Sequence, residues 1–290
     1  GVGGGTNVTV TGSGFAGATQ CKFGSTAVAT ATVVNGQTVM CLSPVGSAGS
    51  VSVEVSQNGL DYTQDGVRFE YQATATVTAV YPVQGTDAGG TTLVVTGTNF
   101  ADGPLLYCKL GSLAASQGTW LSSTSVRCVT PASGSTGNAT VQISNNNLDF
   151  VSGPNYRYLA APTVAALSVA TGPVRGGTVV SVSGTNFDVS GPSGYVKCLF
   201  GTREVTASAS SNTTWIICTS PAGSAGAVAV KLSFSNGVDY TPTSTTFTYY
   251  ADQTVSSISP VNGGVGGGTN VTVTGSGFAG ATQCKFGSTA

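Results

Sequence analysis

The sequence contains no histidine, and only 7% of its 290 residues are charged, against about 25% in ordinary soluble proteins. Without an imidazole no Ser-His-Asp or Cys-His arrangement can be assembled, which removes the commonest route to nucleophilic hydrolysis. Zinc loses a usual ligand for the same reason, and the cysteines form no C-x-x-C pair. Ten Lys and Arg face eleven Asp and Glu, and Arg68, Arg127, Arg157, Arg175 and Arg203 are scattered along the chain. Phosphate contacts need clustered cations, so nucleic acid is excluded as a partner. No run of about 18 apolar residues occurs, so no segment reads as a membrane-spanning helix. No initiator Met and no signal-peptide pattern is present; the expectation is a window onto a longer chain, with any targeting or anchoring segment outside it.

What is present is repetition. Residues Gly1–Ala27 and Gly264–Ala290 are identical at every position, GVGGGTNVTVTGSGFAGATQCKFGSTA. Ordinary divergence would have scattered differences over such a stretch, so the chain reads as a repeating polymer with a 263-residue period. Ser and Thr make up about a quarter of the residues and Gly another 42. Hydroxyls, amides and attached sugar must therefore solvate a surface that charge does not.

Seven cysteines are sorted by the same repetition. Cys21 and Cys41, Cys108 and Cys128, and Cys198 and Cys218 share one spacing, while Cys284 copies Cys21 and has its partner beyond the window. Three disulfides are expected, each closing a loop worth about 3 kcal/mol in the loop-entropy model, in an oxidising compartment. Buried free thiols are the alternative.

Inside the long period lies a degenerate repeat of about 88 residues with four signatures. Gly5-Thr6 followed by NVTVTGSGF returns as Gly90-Thr91 with TLVVTGTNF and as Gly177-Thr178 with VVSVSGTNF. Val8 and Val10 alternate with Asn7, Thr9 and Thr11, which is the period of a strand buried on one face, and the Phe that follows is expected to tuck under the sheet. Cys21-Lys22-Phe23-Gly24 recurs as Cys108-Lys109-Leu110-Gly111 and Cys198-Leu199-Phe200-Gly201, a strand ending in a Gly turn. Cys-x-x-Pro ends a strand at Pro44, Pro131 and Pro221. Asn58-Gly59, Asn146-Asn147 and Asn236-Gly237 lie between alternating hydrophobic runs and predict type I′ hairpins. Each copy then ends in an aromatic strand, VRFEYQA, NYRYLA or TFTYYAD, and no segment shows a helical period.

This ordered set, P-x-x-G, GG-T, V-x-G-x-x-F, C-x-F-G, C-x-x-P, N-G and F-x-Y, resembles the IPT/TIG family of immunoglobulin-like domains found in plexin-type receptors and some transcription factors. The resemblance covers the whole chain; Leu110 and Asn147 depart from the pattern in the second copy. It implies a seven- or eight-stranded antiparallel β-sandwich per domain, and short strands separated by frequent turns lead to the same class. The fold class expected is all-β, tandem immunoglobulin-like sandwiches forming a rod. The expected domains are residues 1–72 lacking a first strand, 73–160, 161–252, and 253–290 as the start of the next. Gln253–Gly263 is the segment that should precede Gly1 in an intact array, and the connections are short enough to be stiff.

Candidate chemistry is sparse. Asp61, Asp149 and Asp239 recur after each Asn-containing turn and read as turn residues capping backbone amides, not as paired catalytic carboxylates. Calcium needs several oxygen ligands, and the junctions offer only Glu70 and Asp252. No enzyme activity, metal or cofactor is expected. Asn7, Asn138, Asn212 and Asn270 open N-x-Thr acceptor sequons, with Asn270 the copy of Asn7 and Asn7 on the outward face of its strand. N-linked glycans are expected there, and runs such as TPTSTTFT have a composition suited to O-linked sugar. The first reading is a structural protein: a long extracellular or cell-surface filament, stalk or hair whose partners are neighbouring copies of itself and its glycans. The alternative is a ligand-binding ectodomain of a plexin-like receptor or repetitive adhesin, with exposed aromatics such as Tyr107, Trp120 or Tyr195 at loop tips.

Overall fold

A computed structural model describes residues 1–25, 27–208, 211–241, 245–278 and 283–287. It is all-β among these residues, and it divides into two compact units, Gly1–Tyr158 and Leu159–Ala290.

The first domain of unit one contains β1 (Asn7–Thr11), β2 (Gln20–Phe23), β3 (Ala27–Asn35), β4 (Thr38–Leu42), β5 (Gly49–Ser56) and β6 (Arg68–Tyr71). They form a single sheet ordered β1-β4-β3-β2-β5-β6. Strand β3 pairs with β2 through its first half and with β4 through its second, so it carries the chain from one layer to the other. The second domain contains β7 (Thr76–Tyr81), β8 (Gln84–Thr86), β9 (Thr92–Thr98), β10 (Tyr107–Leu110), β11 (Ser116–Gln117), β12 (Thr119–Ser122), β13 (Ser125–Val129), β14 (Gly137–Ser144) and β15 (Val151–Leu159). Its two layers are β11-β10-β14-β15-β8 and β12-β13-β9-β7.

In unit two the third domain contains β16 (Thr163–Leu167), β17 (Thr171–Pro173), β18 (Val179–Thr185), β19 (Lys197–Phe200), β20 (Arg203–Thr206), β21 (Trp215–Thr219), β22 (Gly226–Ser233) and β23 (Thr246–Tyr250). The layers are β16-β18-β21 and β17-β23-β22-β19-β20. A final hairpin, β24 (Thr254–Ser259) with β25 (Thr272–Ser276), begins the next domain. The expectation of purely antiparallel sheets needs one amendment, because β17 pairs with β23 in parallel. The first strand of the domain divides: β16 joins one layer and β17 crosses to the other, where it runs alongside the last strand.

Three disulfides staple the sandwiches, Cys21–Cys41, Cys108–Cys128 and Cys198–Cys218, with Cα–Cα distances of 6.2, 6.0 and 6.3 Å. In the second and third domains each joins the two layers, from β10 to β13 and from β19 to β21. All six sulfur-bearing residues are buried, while Cys284 is free and exposed. Around the central bridge pack Leu93, Val95, Leu110, Val126, Val141, Ile143 and Tyr156, from alternate positions of facing strands.

The recurring motifs each have a physical reason. In V-x-G-x-x-F, a Cβ on Gly97 or Gly184 would overlap the carbonyl oxygen of Thr76 or Thr163 on the bulged neighbouring strand and strike the ring of Phe100 or Phe187. Glycine there lets the bulge and the buried ring coexist. The aromatic strand and the Cys-x-x-Pro turn are one device, since the hydroxyls of Tyr71, Tyr158 and Tyr249 donate to the carbonyls of Pro44, Pro131 and Pro221 at 2.8, 2.9 and 2.8 Å. Edge-to-face contacts back these rings, with centroid distances of 4.9 Å for Phe69–Tyr71 and 5.0 Å for both Tyr156–Tyr158 and Phe247–Tyr249.

The type I′ expectation holds only in part. Asn236 and Gly237 both have positive φ, but of the other pairs only Gly59 and Asn147 do. In the first domain the paired strands resume at Ser52 and Arg68, so a long loop replaces the tight hairpin. The asparagine side chain takes over the turn: Asn58 Oδ1 accepts from the amides of Leu60 and Asp61, and Asn146 Oδ1 from those of Leu148 and Asp149.

Replacing Cys108 and Cys128 together by Ala should cost the second domain about 3 kcal/mol, and Tyr158→Phe about 1 kcal/mol, read by denaturant-dependent hydrogen exchange of β9–β15 amides. Burial pushes the Tyr158 phenol up to about 12. Between the ordinary value near 10 and that value the unfolded state loses a proton that the folded state keeps. Stability is therefore full below pH ~10 and should fall as pH rises toward ~12, with Tyr158→Phe removing that part of the alkaline loss.

Candidate functional site

The three recurrent aspartates do not act as expected. Asparagine, not aspartate, caps the backbone amides, and the carboxylate instead accepts from the asparagine amide group: Asn58 Nδ2 to Asp61 Oδ2 at 2.8 Å and Asn146 Nδ2 to Asp149 Oδ2 at 2.9 Å. In the third domain the Asp239 amide donates to Ser235 Oγ, and its Oδ2 is buried without a hydrogen-bond partner. The aspartates sit singly, one per loop. Among the described residues no group of three or more His, Cys, Asp or Glu converges as a metal site. Of the junction carboxylates, Asp252 is paired with Arg175 at 3.0 Å.

Asp149 has a further role. Its Oδ2 accepts a 2.5 Å hydrogen bond from the hydroxyl of Thr6, so a loop of the second domain touches the Gly-Gly-Thr loop of the first within unit one. The Gly-Gly-Thr loop is rigidly held: Gly5 N–H donates to the Ser43 carbonyl, Ser43 N–H to the Thr6 carbonyl, and Thr6 N–H to Ser43 Oγ. A shallow cleft of about 60 Å³ lies beside the contact, lined by Gln72, Ala73, Thr74, Asn145, Asn146 and Asp149 among others. Only the residues between Tyr71 and Thr76 connect the two domains, and the Val2 amide donates to the Gln72 carbonyl at 3.0 Å. Burial pushes the Asp149 carboxyl up, and hydrogen bonds from Thr6 and Asn146 pull it down. The sequence carried no signal for the Thr6–Asp149 contact, because it joins residues 143 positions apart.

The acceptor asparagines lie on the surface. Asn7, on β1, and Asn138, on β14, are exposed, as is Asn270 just before β25. Asn212 is half-buried, its Oδ1 accepting from the amides of Thr214 and Trp215 at 2.8 and 2.9 Å. That leaves its Nδ2, the atom that would carry sugar, outside the turn. Within TPTSTTFT, Pro242–Ser244 lie outside the described residues.

Of the aromatics expected at loop tips, Tyr195 is a correction, being buried at 7% exposure. Tyr107 is half-buried in β10. Trp120 is 38% exposed, but it lies on β12 with Nε1–H donating to the Phe100 carbonyl, a bracing contact. Lysines are similarly occupied: Lys22 pairs with Glu54 at 2.5 Å and lies over the Tyr62 ring.

Disulfide-stapled, two-layer sandwiches following one another along the chain define a tandem array of immunoglobulin-like domains. The model of the IPT/TIG domain matches residues 2–71, 75–158, 162–249 and 254–290, and the chain belongs to that family. Human Fibrocystin-L is 26% identical over 96% of this chain, and Plexin-2 of Caenorhabditis briggsae 25% identical over 49%. The chain spans only 6% and 8% of those proteins. Among solved structures, the plexin A4 extracellular region covers 88% of this chain with 28% of its own length, at 15% identity and a TM-score of 0.43.

The Thr6 hydrogen bond favours the ionised Asp149 carboxyl, so its contribution to stability is present above the ordinary carboxylate pKa and is lost as pH falls and the carboxyl protonates. Followed by carboxyl-carbon NMR, Thr6→Val should move the Asp149 titration midpoint upward. An unchanged midpoint in that variant would mean that the hydroxyl contributes nothing.

Proposed function

We propose that this chain is a stretch of a long, non-enzymatic structural array outside the cytosol, a rod of IPT/TIG domains serving as filament, stalk or hair. The observation that carries the reading is the identity of Gly1–Ala27 with Gly264–Ala290. Uniform units are what an assembly of equivalent interfaces requires, whereas a ligand site would call for one specialised domain. The buried disulfides favour an oxidising compartment. Short connections favour stiffness, and a surface with few charges favours glycan or lateral packing for its solvation. The exposed positions of Asn7, Asn138 and Asn270 support N-linked modification there. The partners on this reading are further copies of the same unit, with sugar as the outer coat.

At about 3.3 Å per strand residue, three sandwich domains extend roughly 100 Å. Electron microscopy of the native material should show a continuous filament with an axial repeat near that length, and glycopeptide mass spectrometry should find sugar on Asn7 and Asn138. Short separate rods ending in a distinct head would overturn the filament and make these domains the stalk of an adhesin or receptor. Asparagines free of sugar in the native material would remove the glycan coat.

A further inference from the structure

The Asn-to-Asp loop is built alike in the first two domains. Ser56 Oγ accepts from the amides of Asn58 and Gly59, as Ser144 Oγ accepts from that of Asn146. The asparagine then closes the turn and anchors the carboxylate, at 2.8 Å in one loop and 2.9 Å in the other. The two loops differ in what covers them. Asp149 receives Thr6 from the preceding domain. Asp61, oriented by the same scaffold, is exposed beside Leu60, which is 84% exposed.

The complementary loop also recurs. In the third domain Gly177 N–H donates to the Ser220 carbonyl, Ser220 N–H to the Thr178 carbonyl, and Thr178 N–H to Ser220 Oγ at 3.1 Å, matching the bonds that hold Thr6. Thr6, which meets an aspartate loop, is 4% exposed, whereas Thr178 is only half-buried. The third domain is followed directly by Gln253–Ala290, whose last 27 residues are the first 27 of the chain. On the array reading, a copy of the first domain, with its Asp61, follows Thr178.

We propose that the exposed Asn58–Asp61 loop is a docking surface for the Gly-Gly-Thr loop of a preceding third domain, with the Thr178 hydroxyl donating to Asp61 Oδ2. The inference rests on the array reading above. The joint between successive 263-residue units is then the same hydrogen-bonded clasp that joins the first two domains. The Thr178 segment is held by its bonds to Ser220 and the Asp61 carboxylate by Asn58 Nδ2, so little side-chain entropy is lost on docking.

The test uses the repeating chain with Thr178→Cys in one unit and Asp61→Cys in the next, treated with a short bis-maleimide and read by peptide mass spectrometry. Thr6→Cys with Asp149→Cys in one unit is the positive control, and Thr178→Cys with Asp102→Cys, at an exposed position of the next unit, the negative one. Cross-linking of the Thr178/Asp61 pair at a yield comparable to the positive control, with loss of it in the negative control, is the expected result. A positive control that links while the Thr178/Asp61 pair does not would overturn the clasp. That failure is separable from failure of the array reading, which the axial repeat in micrographs decides independently.

Discussion

A buried cystine between two thin layers is the constraint on which each domain depends. A sandwich of this size has one core about 10 Å thick, and the bridge occupies its centre. Its surroundings are cut to fit. A Cβ on Gly118 would meet Cys108 Sγ and Val126 at about 3 Å, so even a methyl group there would press on the bridge. Around it the chain spends its large side chains, with Tyr156, Leu93, Leu110 and Phe247 fully buried. The outward positions go to Thr, Ser and Asn. Because nearly all charge is absent from that surface, stability in these domains rests on packing, backbone pairing and cross-links, and little on ion pairs. The pairs present, such as Arg175–Asp252, lie at the surface, where such contacts contribute little.

One end of the first sandwich is closed by a loop that also faces the second domain. The Gly-Gly-Thr segment clamps the strand leaving the second half-cystine through reciprocal backbone bonds, and the proline that directly follows the clamped residue offers its carbonyl to the terminal tyrosine. First strand, cystine strand and last strand are thus tied at one pole. In unit one the same threonine also reaches the next domain. Closing a domain and presenting a contact are here the work of one segment, so a change in it acts on both fold and joint.

The architecture was largely legible in the residues. Alternating Val and Thr, glycine turns, paired cysteines and the terminal aromatics identified strands and disulfides, because each reflects a local backbone preference or a repeated spacing. The hairpin reading was less successful. Asn58-Gly59 has the composition of a type I′ turn, yet Ser56 Oγ and Asn58 Oδ1 compete for the amides and open a longer loop. Likewise Tyr195 had the composition of a loop-tip aromatic, and the core took it.

By itself, the sequence determined that this is a repeating, histidine-free, cystine-bearing all-β chain, since composition, period and short-range pattern are properties of the chain alone. The tertiary structure decided which groups meet across long separations. The tyrosine hydroxyl finds the proline carbonyl, the glycine makes room for the bulge and the phenylalanine ring, and Thr6 finds Asp149. Such pairings carry no periodic signal, because they depend on two distant segments being brought together by the packing of everything between them.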